Sequence, residues 1–137
     1  MNKGKFGELK AKELWPELTL TENGGVDDKN GIDGYLHGRK VQVKYDDTIS
    51  KTGNIYIELY EKSQGHKDQE WRTSKVNADS YVFVTSGNAY LITVNELADA
   101  VKTLSDNNDL KCRAISETSI GFLIPLDKIH VSERRWR

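Results

Sequence analysis

The sequence predicts a mixed α/β fold in one domain, a β-sheet with helices packed against it. Three observations predict it. Apolar residues recur at helical spacing near the start and again after residue 93. Short β-type runs lie between and beyond those stretches, and one of them, "YVFV" at 81–84, is continuously apolar, as a central buried strand requires. The length, 137 residues, suits a single sizeable core.

Taken in order, the first helix is expected over "GELKAKELWPEL" (7–18), where Leu9, Leu14 and Leu18 form the apolar stripe and Pro16 disturbs the end. "TENGGVDDKN" (21–30) reads as a loop. Strand-like segments follow at 32–36, at 40–45 after a turn at His37-Gly38, and at 54–61 after a break at Gly53. In the last of these, "NIYIELYE", Ile55, Ile57 and Leu59 alternate with Tyr56, Glu58 and Tyr60. "SQGHKDQEWRTSKVNA" (63–78) is polar and is expected to hold a loop and a short helix. After "YVFV" comes "AYLIT" (89–93), and Thr93 with Glu96 then makes a capping-box pattern ahead of "VNELADAVKTL" (94–104). Leu97, Ala98, Val101 and Leu104 are the apolar stripe of that helix. "SDNNDLKC" (105–112) reads as a loop, and "SIGFLIPL" (119–126) as a last strand stopped by Pro125. The predicted order is α-β-β-β-(α)-β-β-α-β.

Composition narrows the function. With 36% hydrophobic and 30% charged residues and a mean hydropathy of -0.66, the profile is that of an ordinary soluble domain. No apolar run approaches the ~20 residues of a membrane span, so no membrane partner is expected. "MNKGKFGELKAKELW" has no apolar core of an export signal. Cys112 is the single cysteine, which excludes an internal disulfide and fits a reducing, cytoplasmic setting. The three His are scattered, against a Cys/His zinc site. Net charge is -1, so any nucleic-acid contact must come from local patches rather than bulk charge. Two patches stand out: the first helix with Lys3, Lys5, Lys10 and Lys12, and the tail "SERRWR" with Arg134 and Arg135. The plain alternative for the tail is a disordered, solvated end.

The informative stretch is "NGIDGYLHGRKVQVKYD" (30–46). Strand alternation puts Val41 and Val43 on one side, Gln42 and Lys44 on the other. On the preceding segment Asp33 and Tyr35 share one side, Ile32 and Leu36 the opposite one. If the apolar sides meet one helix-covered core, a hairpin turning at His37-Gly38 brings Asp33 near Gln42 or Lys44. Glu58 joins them if its strand pairs beside the second, and Glu8 on the first helix is a further candidate. Carboxylates with an amide oxygen are the hard donors that Mg²⁺ or Mn²⁺ accepts. A neighbouring lysine orients water or stabilises charge developing on a phosphate. The plain alternative is that Gln-x-Lys is the solvent face of a half-buried sheet, Asp33 a turn residue and Glu58 one half of a cross-strand pair.

"GID" followed by "VQVK" resembles the PD-(D/E)xK nuclease superfamily, the restriction-endonuclease-like fold. In that superfamily an Asp begins one strand and an acidic-x-Lys motif lies on the next. Asp33 matches the Asp, Lys44 matches the Lys, and Gln42 stands where most members have an acid. "GKFGE" followed by "AKELW" resembles the N-terminal helix of Holliday junction resolvases, and Glu8 matches the Glu that joins their metal site. The Gln form is closest to the Mrr-like restriction branch, and residues 54–84 look like small phage- and plasmid-encoded nucleases. The resemblance covers roughly residues 4 to 95.

It implies an α-β-β-β-α-β core and a Mg²⁺- or Mn²⁺-dependent DNA endonuclease. Asp33 and Gln42 would hold the metal with Glu8 and Glu58 as supporting acids, and Lys44 would position water or phosphate. Lys5, Lys62, His66, Lys75, Arg134 and Arg135 are candidate DNA contacts, though His66 and its lysine neighbours also read as a solvated loop. Structure-selective cleavage of branched DNA is the expected activity, and symmetric cutting of two strands calls for a homodimer. A duplex-cutting restriction or repair nuclease, and a non-catalytic nucleic-acid-binding protein on the same scaffold, are the alternatives.

Overall fold

A computed structural model describes residues 3–21, 31–61, 78–114, 119–129 and 131–135. Its elements are α1 (Lys3–Leu14), β1 (Thr19–Leu20), β2 (Gly34–Leu36), β3 (Arg39–Tyr45), α2 (Thr48–Thr52), β4 (Asn54–Glu61), β5 (Ser80–Val84), β6 (Asn88–Thr93), α3 (Val94–Asp106), β7 (Lys111–Ala114), β8 (Ser119–Pro125), a 3₁₀ turn (Leu126–Lys128) and β9 (Ser132–Arg135). The fold is mixed α/β, as expected. The strands form two sheets rather than one. A six-stranded sheet runs in the order β1-β2-β3-β5-β6-β9, and a three-stranded sheet in the order β4-β8-β7. Among the described residues only the β3–β5 pair is parallel; the other pairings are antiparallel.

The β2–β3 hairpin turns where the sequence indicates. Leu36 pairs with Arg39, leaving His37 (φ 52°) and Gly38 (φ 79°) as a two-residue loop. Positive φ at both central residues is the turn whose twist matches the flanking strands, and glycine adopts it without penalty.

Two apolar clusters share the larger sheet, one on each face. Val41, Val82, Val84 and Ala89 pack with Ala11 and Trp15 of the α1 segment. On the opposite face Tyr81, Phe83 and Ile92 meet Leu97, Val101 and Leu104 of α3, together with Ile55, Ile57, Phe122 and Ile124 of the second sheet. The buried β5 thus has both faces covered, which explains its unbroken apolar run. α3 begins as its sequence suggests: the Glu96 N–H donates to Thr93 Oγ1 at 3.1 Å.

Several local expectations are corrected. α1 starts at Lys3 and ends at Leu14, so the predicted 7–18 span is shifted toward the N-terminus. Its buried residues are Gly7 and Ala11, while Leu9 is 42% exposed. Small residues win the buried face because the helix lies close on β3: a Cβ added at Gly7 would stand 3.5 Å from the Tyr45 Cβ. The 105–112 stretch is not a continuous loop, since α3 continues to Asp106 and β7 starts at Lys111. The basic tail is not a loose end over 132–135, where β9 pairs with β6. Arg134 stacks over the Trp15 ring at 4.9 Å and donates to the Leu14 carbonyl at 2.6 Å. The short helix expected within 63–78 falls outside the described residues up to 77. Among the described residues, no helix is long and apolar enough to cross a membrane.

Close packing at two glycines yields opposite expectations. At Gly121 a Cβ would strike the Tyr56 ring and come within 2.5 Å of the Ile57 carbonyl oxygen. Gly121→Ala should therefore destabilise the protein by about 1–3 kcal/mol in urea unfolding. Gly7→Ala meets only ordinary contacts and should leave stability unchanged or raise it by up to about 1 kcal/mol through helix propensity. Equal losses at both positions would contradict this packing.

Candidate functional site

Asp33 is the residue immediately before β2, and its three polar groups are all engaged. Its N–H donates to the Val41 carbonyl at 2.9 Å, and its carbonyl accepts from the Thr21 N–H at 2.9 Å. Its carboxylate Oδ2 accepts from the Val43 N–H at 2.7 Å. The strand pairing explains the last bond. β2 ends its ladder with Gly34 opposite Val41, so the next inward N–H of β3, that of Val43, has no strand beside it. The Asp33 carboxylate takes the place of the missing carbonyl. The loop leading to Asp33 passes over Gln42, since a Cβ at Gly31 (φ 80°) would stand 3.7 Å from Gln42 Nε2. Asp33 and Gln42 are therefore neighbours where the β2–β3 ladder ends, as the hairpin reading requires.

Lys44 lies two residues further along the face that carries Gln42. In the parallel register Gln42 stands opposite Tyr81 and Lys44 opposite Phe83. This face is not an open cleft for its whole width, because Tyr81 and Phe83 belong to the core shared with the second sheet. Lys44 sits at the margin of that core. It lines a cavity of about 350 Å³ together with Lys3, Gly4, Tyr45, Asp46, Tyr56 and Phe83. The Tyr56 hydroxyl is buried and has no hydrogen-bond partner among the described residues.

The remaining candidates separate. Glu8 is partly buried on α1, which packs on the Val43 and Tyr45 side of β3, the face opposite Gln42 and Lys44. Glu58 is on β4, and β4 pairs with β8 rather than β3, whose neighbours are β2 and β5. The expectation that its strand lies beside the second is thus overturned; the β4 alternation identified a core-facing side but not a partner strand. Lys5 is partly buried on α1. Lys62, His66 and Lys75 lie outside the described residues. Arg134 is held by Leu14 and Trp15, and Arg135 pairs with Glu133 at 2.9 Å. Among the described residues, no three His, Cys, Asp or Glu side chains form a group that could hold a metal ion. Gln42 is outside that residue set.

Sequence reasoning passed over Asp46 and Asp47, which shape the end of β3. Asp46 Oδ1 accepts from the Thr48 N–H at 3.0 Å and from its hydroxyl at 2.5 Å, opening α2 at the edge of the Lys44 cavity. Asp47 Oδ1 accepts from the Ser86 N–H at 2.8 Å, and Oδ2 from the Tyr45 hydroxyl at 2.9 Å. These bonds tie β3 to the β5–β6 turn. The Ser86 N–H, followed by the Tyr45 hydroxyl, holds the Asp47 carboxyl below its ordinary 3.8. The bond to Asp47 pushes the Tyr45 phenol above its ordinary 10.0. The sequence signal was available: an Asp two residues before a Thr at a strand end is a turn pattern.

No family model matches the chain, and neither a curated protein nor a solved structure matches it.

Two measurements check this geometry. Asp33→Ala leaves the Val43 N–H without its acceptor and should lower stability by about 1–2 kcal/mol, with Asp33→Asn losing clearly less. For Asp47, a depressed folded-state pKa means that its stabilisation is complete above 3.8 and lost as pH falls through the lower folded value. The melting-temperature gap between the parent and Asp47→Asn should stay constant from about pH 7 to 5 and shrink below about pH 4. A gap that widens on acidification would refute that assignment.

Proposed function

We propose that this protein is a divalent-metal-dependent DNA endonuclease of the restriction-endonuclease-like class, cutting phosphodiester bonds in branched DNA. The observation that carries the proposal is the end of the β2–β3 ladder, where Asp33 and Gln42 are neighbours and Lys44 follows on the same strand face as Gln42. An Asp heading one strand, with Gln-x-Lys on its antiparallel partner, is the order that the resemblance implies.

The donor chemistry suits Mg²⁺. Mg²⁺ keeps several waters and takes one or two carboxylates together with substrate phosphate, so a cluster of three acids is not required. Asp33 and the Gln42 amide oxygen would hold it, with Glu8 as the supporting acid. A bound Mg²⁺ polarises the phosphoryl oxygen and makes water more acidic. The chain's own part is positional. The Val43 N–H orients the Asp33 carboxylate, and the Lys44 ammonium supplies positive charge beside the scissile phosphate or steers the attacking water.

A second reading is a non-catalytic DNA-binding protein on the same scaffold. It is favoured by the neutral Gln42 and by the absence of a three-acid group among the described residues. DNA as partner, a homodimer and a cytoplasmic setting belong to both readings.

Cleavage of linear, nicked, forked and four-way DNA with Mg²⁺ and with Mn²⁺ separates the readings. Lys44→Ala should lower the cleavage rate by ~100-fold or more while DNA affinity changes by less than about threefold. Undiminished cleavage by Lys44→Ala would sink the nuclease site, and no cleavage of any form by the parent would leave the binding protein. Gln42→Glu adds the missing charge and should tighten Mn²⁺ binding, whereas Gln42→Leu should weaken it.

A further inference from the structure

We propose that the cavity between the start of α1 and the end of β3 binds a phosphate monoester dianion. The cavity holds about 350 Å³ and is lined by Lys3, Gly4, Lys44, Asp46 and Tyr56 among others, a volume within the ~300–1,000 Å³ range of small-molecule sites. Two lysines from separate elements line it, Lys3 from α1 and Lys44 from β3. Neither has a hydrogen-bond or ion-pair partner among the described residues. Two unpaired lysines lining one cavity make it attractive to an anion.

Two further features favour phosphate. α1 is 12 residues long and its first turn carries no acidic residue, so the positive end of the helix dipole is not offset there. Gly4 places no side chain between the cavity and that first turn. The one acid in the wall among the described residues, Asp46, is committed through Oδ1 to Thr48. The charge balance favours a monoester. With a second pKa near ~6 it is close to dianionic at neutral pH, and it meets two lysines, whereas an internal phosphodiester brings a single charge. Either a free phosphate compound or the phosphorylated end of a nucleic-acid strand offers this chemistry. The cavity shares Lys44 with the proposed nuclease site, but neither metal nor bond cleavage enters the argument.

The test is an amide NMR titration of the full chain with inorganic phosphate, in EDTA and at constant ionic strength. Saturable shifts are expected at Gly4, Lys44, Tyr45 and Tyr56. Lys3→Gln should weaken binding by about fivefold or more, and Lys102→Gln, on the exposed face of α3, should not. Shifts that fail to saturate, or equal weakening by the two variants, would overturn the site. Further arms identify the source once phosphate binds: a nucleoside monophosphate that matches inorganic phosphate points to a free compound, and a 5′-phosphorylated oligonucleotide preferred about tenfold over its 5′-hydroxyl form points to a strand end. DNA cleavage with no phosphate binding would remove this proposal and leave the nuclease reading standing; the converse would do the opposite.

Discussion

β3 lies between two cores, and the rest of the molecule is arranged around that constraint. One side of the strand is committed to α1, where Gly7 stands close enough to Tyr45 and Val43 for direct backbone-to-strand packing. The other side faces the aromatic layer of Tyr81 and Phe83. Because side chains alternate strictly, a slip of one residue would carry Gln42 and Lys44 under the helix and expel the valines. Register is held at both ends of the hairpin. The positive-φ pair His37-Gly38 sets it at the turn, and the Asp33 carboxylate fastens it where β2 runs out. The polar pair is thus forced to the margin of an apolar layer.

Asp33 thereby has a structural duty before any chemical one. Accepting from the Val43 N–H fixes the carboxylate at the sheet edge, which is a form of preorganisation. It also commits one oxygen. With Gln42 neutral and β4 carried into another sheet, the charge near this edge is lower than a set of three acids would supply. In the proposed site, waters and substrate phosphate would have to complete a cation's shell, as they commonly do for Mg²⁺. The positive side of the balance is supplied locally instead, by Lys44 and by Lys3 at the start of α1.

The parts of the fold that were legible were those written in short-range pattern. The alternation of "NIYIELYE" marked β4 residue for residue, the apolar run "YVFV" marked the buried β5, and Thr93 with Glu96 marked the start of α3. The turn at His37-Gly38 was legible for the same reason. The start of α1 was not, because Gly4 looks like a helix breaker when only the sequence is read. β7 and β9 were missed because edge strands carry little apolar pattern, and all of β9 is exposed.

The sequence by itself determined which residues of each strand share a face, and so that Gln42 and Lys44 point together and Asp33 comes to meet them across the hairpin. Those are consequences of chain geometry over a dozen residues. Tertiary structure alone decided which strands became neighbours. Period-two alternation says that Ile55 and Ile57 need a core but not whose core, and the partner proved to be β8, some sixty residues later in the chain. The same holds for Arg134, whose place over Trp15 depends on the last strand closing beside β6. Pairing over such distances is settled by the joint burial of all the faces at once, which no local window of sequence contains.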